Sequence, residues 1–176
     1  MAIAAVFAGG LYPVAWVNGS PIFYATWKKI EKSEKQFLNV RQKISESNRI
    51  SAASSLEVFN DNNPSLFALS FLIDDKITEK EGMEVVKNLG ELSQKRMNDT
   101  LAAQGDMSSA VKAVYGLSLN DFKRLILKPQ ARRDVLSVFL ASQNLDYAEW
   151  LNQKKEQASV KIFFGPFSWN GKELNP

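Results

Sequence analysis

The sequence predicts a mostly α-helical fold of five to six helices, with a small antiparallel sheet formed by an N-terminal hairpin and a C-terminal strand. Apolar residues recur at helical spacing through most of the chain, Asn18-Gly19 marks a tight turn, and residues 160–164 alternate as a strand does. Because an isolated hairpin is only marginally stable in water, we expect the C-terminal strand to pair with it and to join the two chain ends.

The composition fits one globular domain and excludes several classes of enzyme. The 176 residues are 45% hydrophobic and 23% charged, which is sufficient for a hydrophobic core. The chain has no cysteine and no histidine, which excludes thiol nucleophiles, imidazole bases and metal sites built from imidazole or thiolate ligands. It also lacks a phosphate-binding loop and a dinucleotide motif. We therefore expect a protein that is not an enzyme, with no metal site and no cofactor.

The charge pattern gives little indication of a nucleic-acid partner, and none is expected. The net charge is only +3, from 22 basic and 19 acidic residues that are well mixed along the chain. Arg124, Lys128 and Arg132 recur at i, i+4 and i+8, with Lys123 and Arg133 beside them. This spacing predicts a solvated basic helix face; binding to phosphates or lipid headgroups is the alternative hypothesis.

The N-terminal segment, residues 1–12, is apolar, and no charged residue precedes Lys28. It is shorter than the roughly 20 residues of a membrane span and lacks the basic residue that precedes the apolar run of a secretory signal. We interpret it either as the remnant of a signal or membrane-anchor helix, which would allow membrane association through the N-terminus, or as an apolar arm buried on the domain. Residues 13–176 are predicted to form the single domain.

The hairpin is predicted from residues 14–17 and 21–24, joined by Asn18-Gly19. Asn-Gly supplies the positive φ angles that a type I′ turn requires. Pro21 has no N–H to donate, so its strand is expected at an edge of the sheet.

From Ala25 the spacing becomes helical and predicts an amphipathic helix. Its apolar stripe comprises Trp27, Ile30, Phe37, Val40 and Ile44. Its charged face comprises Lys28, Lys29, Glu31, Lys32, Glu34 and Lys35. Residues 45–63 are rich in Ser and Asn and are predicted to form a loop. Asn63 and Pro64 then have the types typical of an N-cap and a first helical residue.

Three helices are predicted between residues 64 and 116. The first continues to Leu89, with a pause at residues 78–81 where a capping box is found. The second, over residues 91–104, is closed by Gly105 and is expected to bury a seam of Leu92, Met97 and Leu101. The third, over residues 108–115, is closed by Gly116.

Two more helices complete the prediction. A capping box at residues 118–121 starts a long helix. Pro129 lies inside it and removes one N–H donor, so we expect a bend near residues 125–127. Asp146 has the type of an N-cap for a last short helix that presents Trp150 and Leu151.

The C-terminal segment holds more aromatic residues than one face can bury. In a strand, Phe163 and Phe164 point to opposite sides, and Phe167 follows closely. One face of the segment is therefore either packed on the hairpin and its helices or left open as the wall of a groove. Aromatic rings offer large rigid contact area at low entropic cost, so they suit the binding of irregular peptides. The candidate peptide-binding residues are Trp150, Phe164, Phe167 and Trp169.

Four short motifs occur in order along the chain. They are Val17-Asn18-Gly19-x-Pro21-Ile22, Leu72-Ile73-x-x-Lys76-Ile77-x-x-x-Glu81, Tyr115-Gly116-x-Ser118-x-x-Asp121-Phe122-Lys123-Arg124, and a closing Tyr147-x-x-Trp150-Leu151 followed by a Val-Lys-Ile strand. This set resembles the N-terminal chaperone domain of SurA-like and PpiC-type foldases, including the C-terminal return of the chain in those proteins.

The resemblance implies an extracytoplasmic protein, exported or held by an N-terminal membrane segment, that binds unfolded or extended polypeptide. Many members of the family also carry an inserted parvulin domain with prolyl isomerase activity. In this chain the long helix ends near Gln143 and the last helix begins at Asp146, so the connection between them is too short to contain such a domain. Parvulin sites also use histidines, and this chain has none. We therefore expect a non-catalytic, chaperone-like domain without isomerase activity. A helical scaffolding domain that binds one folded protein partner is the alternative.

Overall fold

The computed structural model describes residues 10–48 and 63–176, and within them it confirms the predicted fold class. Six helices surround one core, and a small sheet joins the two ends of the described chain. The elements are β1 (Pro13–Val17), β2 (Ser20–Phe23), α1 (Tyr24–Asn48), α2 (Pro64–Val85), α3 (Leu89–Gln104), α4 (Ser108–Tyr115), α5 (Leu119–Phe122, a π-helical turn Lys123–Leu127, and Lys128–Ser142), α6 (Tyr147–Gln157), β3 (Val160–Ile162), β4 (Ser168–Trp169) and β5 (Leu174–Asn175).

The sheet has the strand order β2-β1-β3, and both pairings are antiparallel. Trp16 lies opposite Lys161, so the N-terminal hairpin and the C-terminal strand meet as predicted. Asn18 and Gly19 have φ angles of 48° and 84°, as a type I′ turn requires. Pro21 lies in the edge strand β2, which pairs with β1 on one side only, so a residue without an N–H donor is tolerated there.

Asn18 also holds the C-terminal strand in place. Its backbone N–H donates to the Ser159 carbonyl at 2.9 Å, and its side-chain oxygen accepts from the Ser159 N–H at 2.8 Å. Its side-chain amide donates to Glu81 of α2 at 3.2 Å. The turn residue therefore links the hairpin, β3 and the central helix.

The hydrophobic core lies between the inner face of the sheet and helices α1, α2, α5 and α6, with the start of α3. Its fully buried members include Val14, Ile30, Leu69, Ile73, Ile77, Leu89, Leu136 and Leu140. Trp27 is buried beside them, and its indole N–H donates to the Ser65 carbonyl at 2.9 Å. A smaller cluster of Val111, Leu117 and Phe122 joins α4 to the start of α5.

Local sequence signals set several helix ends as predicted. Asn63, Ser118 and Asp146 each accept backbone N–H bonds through their side chains at the start of α2, α5 and α6. Gly116 follows α4 with a φ of 66°, in the left-handed conformation that closes helices.

Pro129 distorts α5 one turn before its own position, in the region where the sequence predicts a bend. A proline lacks the N–H that would donate to the carbonyl four residues back, and its ring crowds that carbonyl, here of Leu125. The helix responds with the π-helical turn Lys123–Leu127, in which the Lys128 N–H donates to the Lys123 carbonyl. The extra residue in this turn rotates the faces of the following helix relative to those before it.

Several predictions about helix faces were wrong. Ile44 is predicted in the apolar stripe of α1 but is 55% exposed. Glu31 and Glu34 were assigned to the charged face of α1, but both are buried, because α1 packs against α2 on one side and α4 on the other. In α3 the buried seam is Leu89, Ser93 and Met97, whereas Leu92 is exposed. Ser93 tolerates burial because its hydroxyl donates to the Leu89 carbonyl at 2.6 Å.

Some predicted boundaries also differ. α2 runs without a pause through residues 78–81, where Thr78 is buried and its hydroxyl is 2.9 Å from that of Tyr147. α1 extends to Asn48, so the first part of the expected loop is helical. The rest of that loop up to residue 62, and residues 1–9 of the N-terminal segment, lie outside the described residues. Residues 10–12 belong to the fold, because the Gly10 carbonyl accepts from the Ala25 N–H.

The C-terminal hairpin of β4 and β5 was not predicted. Its loop begins with Asn170-Gly171, the same dipeptide that marked the first hairpin, and Gly171 has a φ of 101°. Leu174 anchors this hairpin in the core. In the described part of the chain, none of the helices combines the length and the apolar character that crossing a membrane requires.

Candidate functional site

The outer face of the three-stranded sheet displays large aromatic side chains to solvent. Along β1, Val14, Ala15 and Val17 are buried in the core, whereas Trp16 points to the other side and is 39% exposed. Phe163 follows β3 on that outer side and is 57% exposed. Large aromatic side chains are thus displayed where a soluble domain more commonly carries polar groups.

These residues form a cleft of about 450 Å³, here called the aromatic cleft. It is lined by Tyr12, Pro13, Trp16, Phe163 and Phe164. An irregularity in the pairing between Pro13 and Ala15 lets Val14 and Ala15 both be buried. The cleft therefore combines residues from the two ends of the described chain, which only the β1–β3 pairing brings together.

The rings of the cleft are held in place by aromatic contacts with the core. Tyr12 stacks on Tyr24 with ring centroids 4.9 Å apart. Phe164 meets Tyr24 and Trp27 edge-on at 5.5 Å and 5.9 Å. Because Trp27 is buried, these contacts fix one wall of the cleft before any ligand arrives.

The electrostatics of the cleft are neutral to basic. Its five lining residues include no carboxylate. Partial burial raises the pKa of the Tyr12 phenol, and the neighbouring Tyr24 raises it further, so Tyr12 is neutral at physiological pH. Lys161, the cross-strand neighbour of Trp16, is exposed and forms no ion pair with any described residue. A basic group therefore borders an apolar surface.

The four candidate peptide-binding residues occupy different environments. Phe164 lies in the cleft and is 43% exposed. Trp150 and Phe167 are buried members of the core. Trp169 packs against the core, and its indole N–H is buried without a hydrogen-bond partner among the described residues.

Sequence reasoning did not select Tyr12, Pro13 or Trp16 as site residues, although it placed Trp16 next to the C-terminal strand. The available signal was the alternation of β1. Because Val17 faces the core, Trp16 must face the opposite side, where it lines the cleft together with Phe163.

The predicted basic face of α5 is not a single solvated surface. Arg132 is buried, and its guanidinium donates to the carboxylates of Asp75 and Glu79 on α2. Arg124 forms an ion pair with Asp121 at 3.0 Å. Arg124 lies within the π-helical turn and Arg132 lies in the α-helix that follows it, so a spacing counted on a regular helix does not give their relative orientation.

Four acidic residues of α2, namely Asp74, Asp75, Glu79 and Glu81, are paired with basic ones. Asp74 contacts Lys155 at 2.8 Å, and Glu81 contacts Lys154 at 3.4 Å. Within residues 10–48 and 63–176, no group of three or more acidic, histidine or cysteine side chains is arranged to hold a metal ion. The aromatic cleft is therefore taken as the candidate site, because it combines a concave surface with exposed aromatic side chains.

No protein-family model, no curated protein and no solved structure matches this chain. Its function must therefore be inferred from its own residues and their geometry.

Proposed function

We propose that this protein is a non-catalytic, chaperone-like domain that holds unfolded or extended polypeptide segments outside the cytoplasm, with the aromatic cleft as its binding surface. The observation that carries the proposal is the exposure of Trp16, Phe163 and Phe164 around one apolar cleft. The resemblance of the sequence motifs to SurA-like chaperone domains supports the same function and the extracytoplasmic location.

The size of the cleft favours a polypeptide segment as its ligand. About 450 Å³ lies at the lower end of the range for ligand pockets, roughly 300–1,000 Å³, and has room for one or two side chains of a passing chain. Folded proteins keep most of their large apolar side chains inside, whereas unfolded segments expose them. A shallow apolar cleft therefore selects unfolded segments without reading a particular sequence.

The expected mechanism is passive and weak. Covering about 150 Å² of apolar surface contributes about 4 kcal/mol at roughly 25 cal/mol per Å². A free energy of about 4 kcal/mol corresponds to a dissociation constant of about 1 mM, and the loss of translational and rotational freedom offsets part of it. Millimolar or weaker affinity with fast exchange is therefore expected. Such contacts shield aggregation-prone segments and release them without a nucleotide.

A double variant, Trp16→Ser with Phe163→Ser, tests the proposal. Both side chains are exposed, so the variant is expected to retain its thermal unfolding midpoint within a few degrees. It should lose most of the ability of the wild-type protein to delay aggregation of a chemically denatured model substrate at near-stoichiometric ratio. Light scattering follows the aggregation.

The matched control is Val138→Ser, which removes an apolar side chain that is 73% exposed on α5, away from the sheet. It should protect the substrate as the wild type does. Equal protection by the double variant and the wild type would refute the cleft as the binding surface. No protection by the wild type, together with saturable capture of one folded protein, would favour the scaffolding alternative.

A further inference from the structure

We propose that Lys161 makes the aromatic cleft selective for extended segments that carry a carboxylate near an apolar or aromatic side chain. This inference rests on the proposed function, since it names the class of segment that the same cleft prefers. It concerns a charged residue that borders the cleft but is not among the residues that line it.

The position of Lys161 follows from the register of the sheet. Lys161 is the Cα partner of Trp16 across the antiparallel β1–β3 pair. Side chains of such partners lie on the same face, with Cβ atoms roughly 4.5–5.5 Å apart. Phe163 lies two residues further along and shares this face. The ammonium group is therefore carried beside the two exposed rings that form the outer wall of the cleft.

The charge of Lys161 is not neutralised within the described residues. Other lysines near the sheet are engaged: Lys28 contacts Glu31 at 2.5 Å, Lys154 contacts Glu81, and Lys80 donates to the Asn18 carbonyl at 3.0 Å. Lys161 has no such partner in the part of the chain that the structure describes, and it is exposed. A carboxylate supplied by a ligand would complement it.

The spacing also defines where that carboxylate should lie. Residues two apart on an extended chain point to the same side and are separated by roughly 6.6–6.8 Å. Lys161 lies on β3, and Phe163 follows the last residue of that strand, with its N–H still donating to the Val14 carbonyl of β1 at 2.8 Å, so the two side chains are expected to have about this separation. A bound segment that places an aromatic side chain against Phe163 would therefore present the residue two positions away to Lys161.

An anionic lipid surface has a related chemistry, because interfacial proteins combine aromatic and basic side chains. The geometry favours the polypeptide. The rings line a cleft in which Tyr12 and Phe164 pack against Tyr24, whereas insertion into a flat lipid interface requires rings that all project from the surface.

The test uses three fluorescein-labelled peptides of equal length that differ at one residue, an Asp, Ser or Lys two positions from a central Phe. Fluorescence anisotropy with the full chain should rank their affinities as Asp above Ser above Lys. Each step should be about two- to fivefold, as for exposed ion pairs, and should shrink in 0.5 M salt. Lys161→Gln should bind all three peptides equally, and Lys161→Glu should invert the order.

Lys95→Glu is the matched control. It makes the same change in net charge at an exposed lysine of α3, a helix that does not contact the sheet, so it should keep the wild-type ranking. An unchanged ranking in Lys161→Glu would overturn the proposal. Binding of phosphatidylglycerol vesicles that depends on Lys161, without any peptide ranking, would overturn it in favour of a lipid surface.

The Ser peptide separates this proposal from the proposed function. Its binding to the wild type, and its loss in the Trp16→Ser and Phe163→Ser double variant, report on the cleft alone. If the Ser peptide binds but the Asp and Lys peptides bind equally well, only the selectivity is refuted. If none of the peptides binds, both proposals fail.

Discussion

The guanidinium of Arg132 on α5 donates a hydrogen bond to the carboxylate of Asp75 on α2, and both side chains are largely withdrawn from solvent. A second bond from Arg132 reaches Glu79 at 2.8 Å. Burial raises the pKa of the Asp75 carboxyl. The positive charge of Arg132 lowers this pKa, and the negative charge of Glu79 raises it. The Arg132–Asp75 ion pair thus adds an electrostatic contact between α2 and α5 to their apolar packing.

Removal of the arginine should therefore be costly. Arg132→Ala leaves the Asp75 carboxylate buried without its partner, so we expect the free energy of unfolding to fall by about 3–5 kcal/mol. Arg124→Ala, which breaks the more exposed pair with Asp121, should cost less than about 1 kcal/mol. Urea denaturation at pH 7 measures both. Equal losses in the two variants would contradict the assignment of Arg132 as a buried ion-pair residue.

Glu34 predicts a pH dependence of stability. Its side chain is 7% exposed, and burial raises its pKa to about 7 from an ordinary value of 4.5. The folded state therefore binds this proton more tightly than the unfolded state. The contribution of Glu34 to the free energy of unfolding is therefore greatest below pH 4.5. It falls by about 3 kcal/mol as the pH rises from 4.5 to about 7.

Glu34→Gln should remove this loss. The variant is expected to be more stable than the wild type at pH 8 and similar to it at pH 5, as measured by urea denaturation at both values. Glu31→Gln is the control. Burial raises the pKa of Glu31, but hydrogen bonds from Lys28, Lys35 and Ser65 outweigh it and lower the value to about 2. That variant should be destabilised equally at pH 5 and pH 8; a loss confined to pH 8 would contradict this.

Two glycines should respond to alanine in opposite directions. Gly116 has a φ of 66°, and a Cβ there would clash with the side-chain oxygen of Gln36. That side chain donates to the Lys112 and Ala113 carbonyls at the end of α4, so Gly116→Ala should lower the free energy of unfolding by about 1–2 kcal/mol. A Cβ at Gly90 in α3 would point into open space, so Gly90→Ala should raise the free energy of unfolding by about 0.5 kcal/mol.

Thermal denaturation followed by circular dichroism distinguishes the two glycine variants. If both raise the unfolding midpoint, the close contact between Gly116 and Gln36 is not a constraint on the fold.

Phe167 and Phe163 test the division between core and cleft. Phe167 is buried and meets the ring of Trp27 edge-on at 6.3 Å, so Phe167→Ala should reduce the free energy of unfolding by about 3–5 kcal/mol. Phe163→Ala should change it by no more than about 0.5 kcal/mol. Chemical denaturation monitored by tryptophan fluorescence gives both values, and a large loss in Phe163→Ala would mean that this ring serves the fold rather than the cleft.

Much of the fold could be predicted because its signals are local. Asn18-Gly19 specifies a hairpin through the φ angles of two residues, and Asn63 and Asp146 cap their helices through bonds to N–H groups two or three positions away. Pro129 distorts α5 within one turn of itself. The pairing of the chain ends was predicted from the weakness of an isolated hairpin, which is a general property of short strands.

The candidate site could be predicted only in part. Phe164 was selected from the aromatic C-terminal segment and lies in the cleft. Phe167 and Trp150 were selected by the same reasoning and lie in the core, because residue type alone does not distinguish a packed ring from a displayed one. Trp16 joined the site only through the register that places it opposite Lys161.

The sequence by itself determined the helix caps, the turn, the distortion at Pro129 and the meeting of the two ends, since each depends on residues within a turn or on strand pairing. Only the tertiary structure decided that Glu34 and Arg132 are buried and that Trp16 and Phe163 are displayed. Burial depends on which elements cover a given face, and the covering elements come from distant parts of the chain whose packing no local pattern encodes.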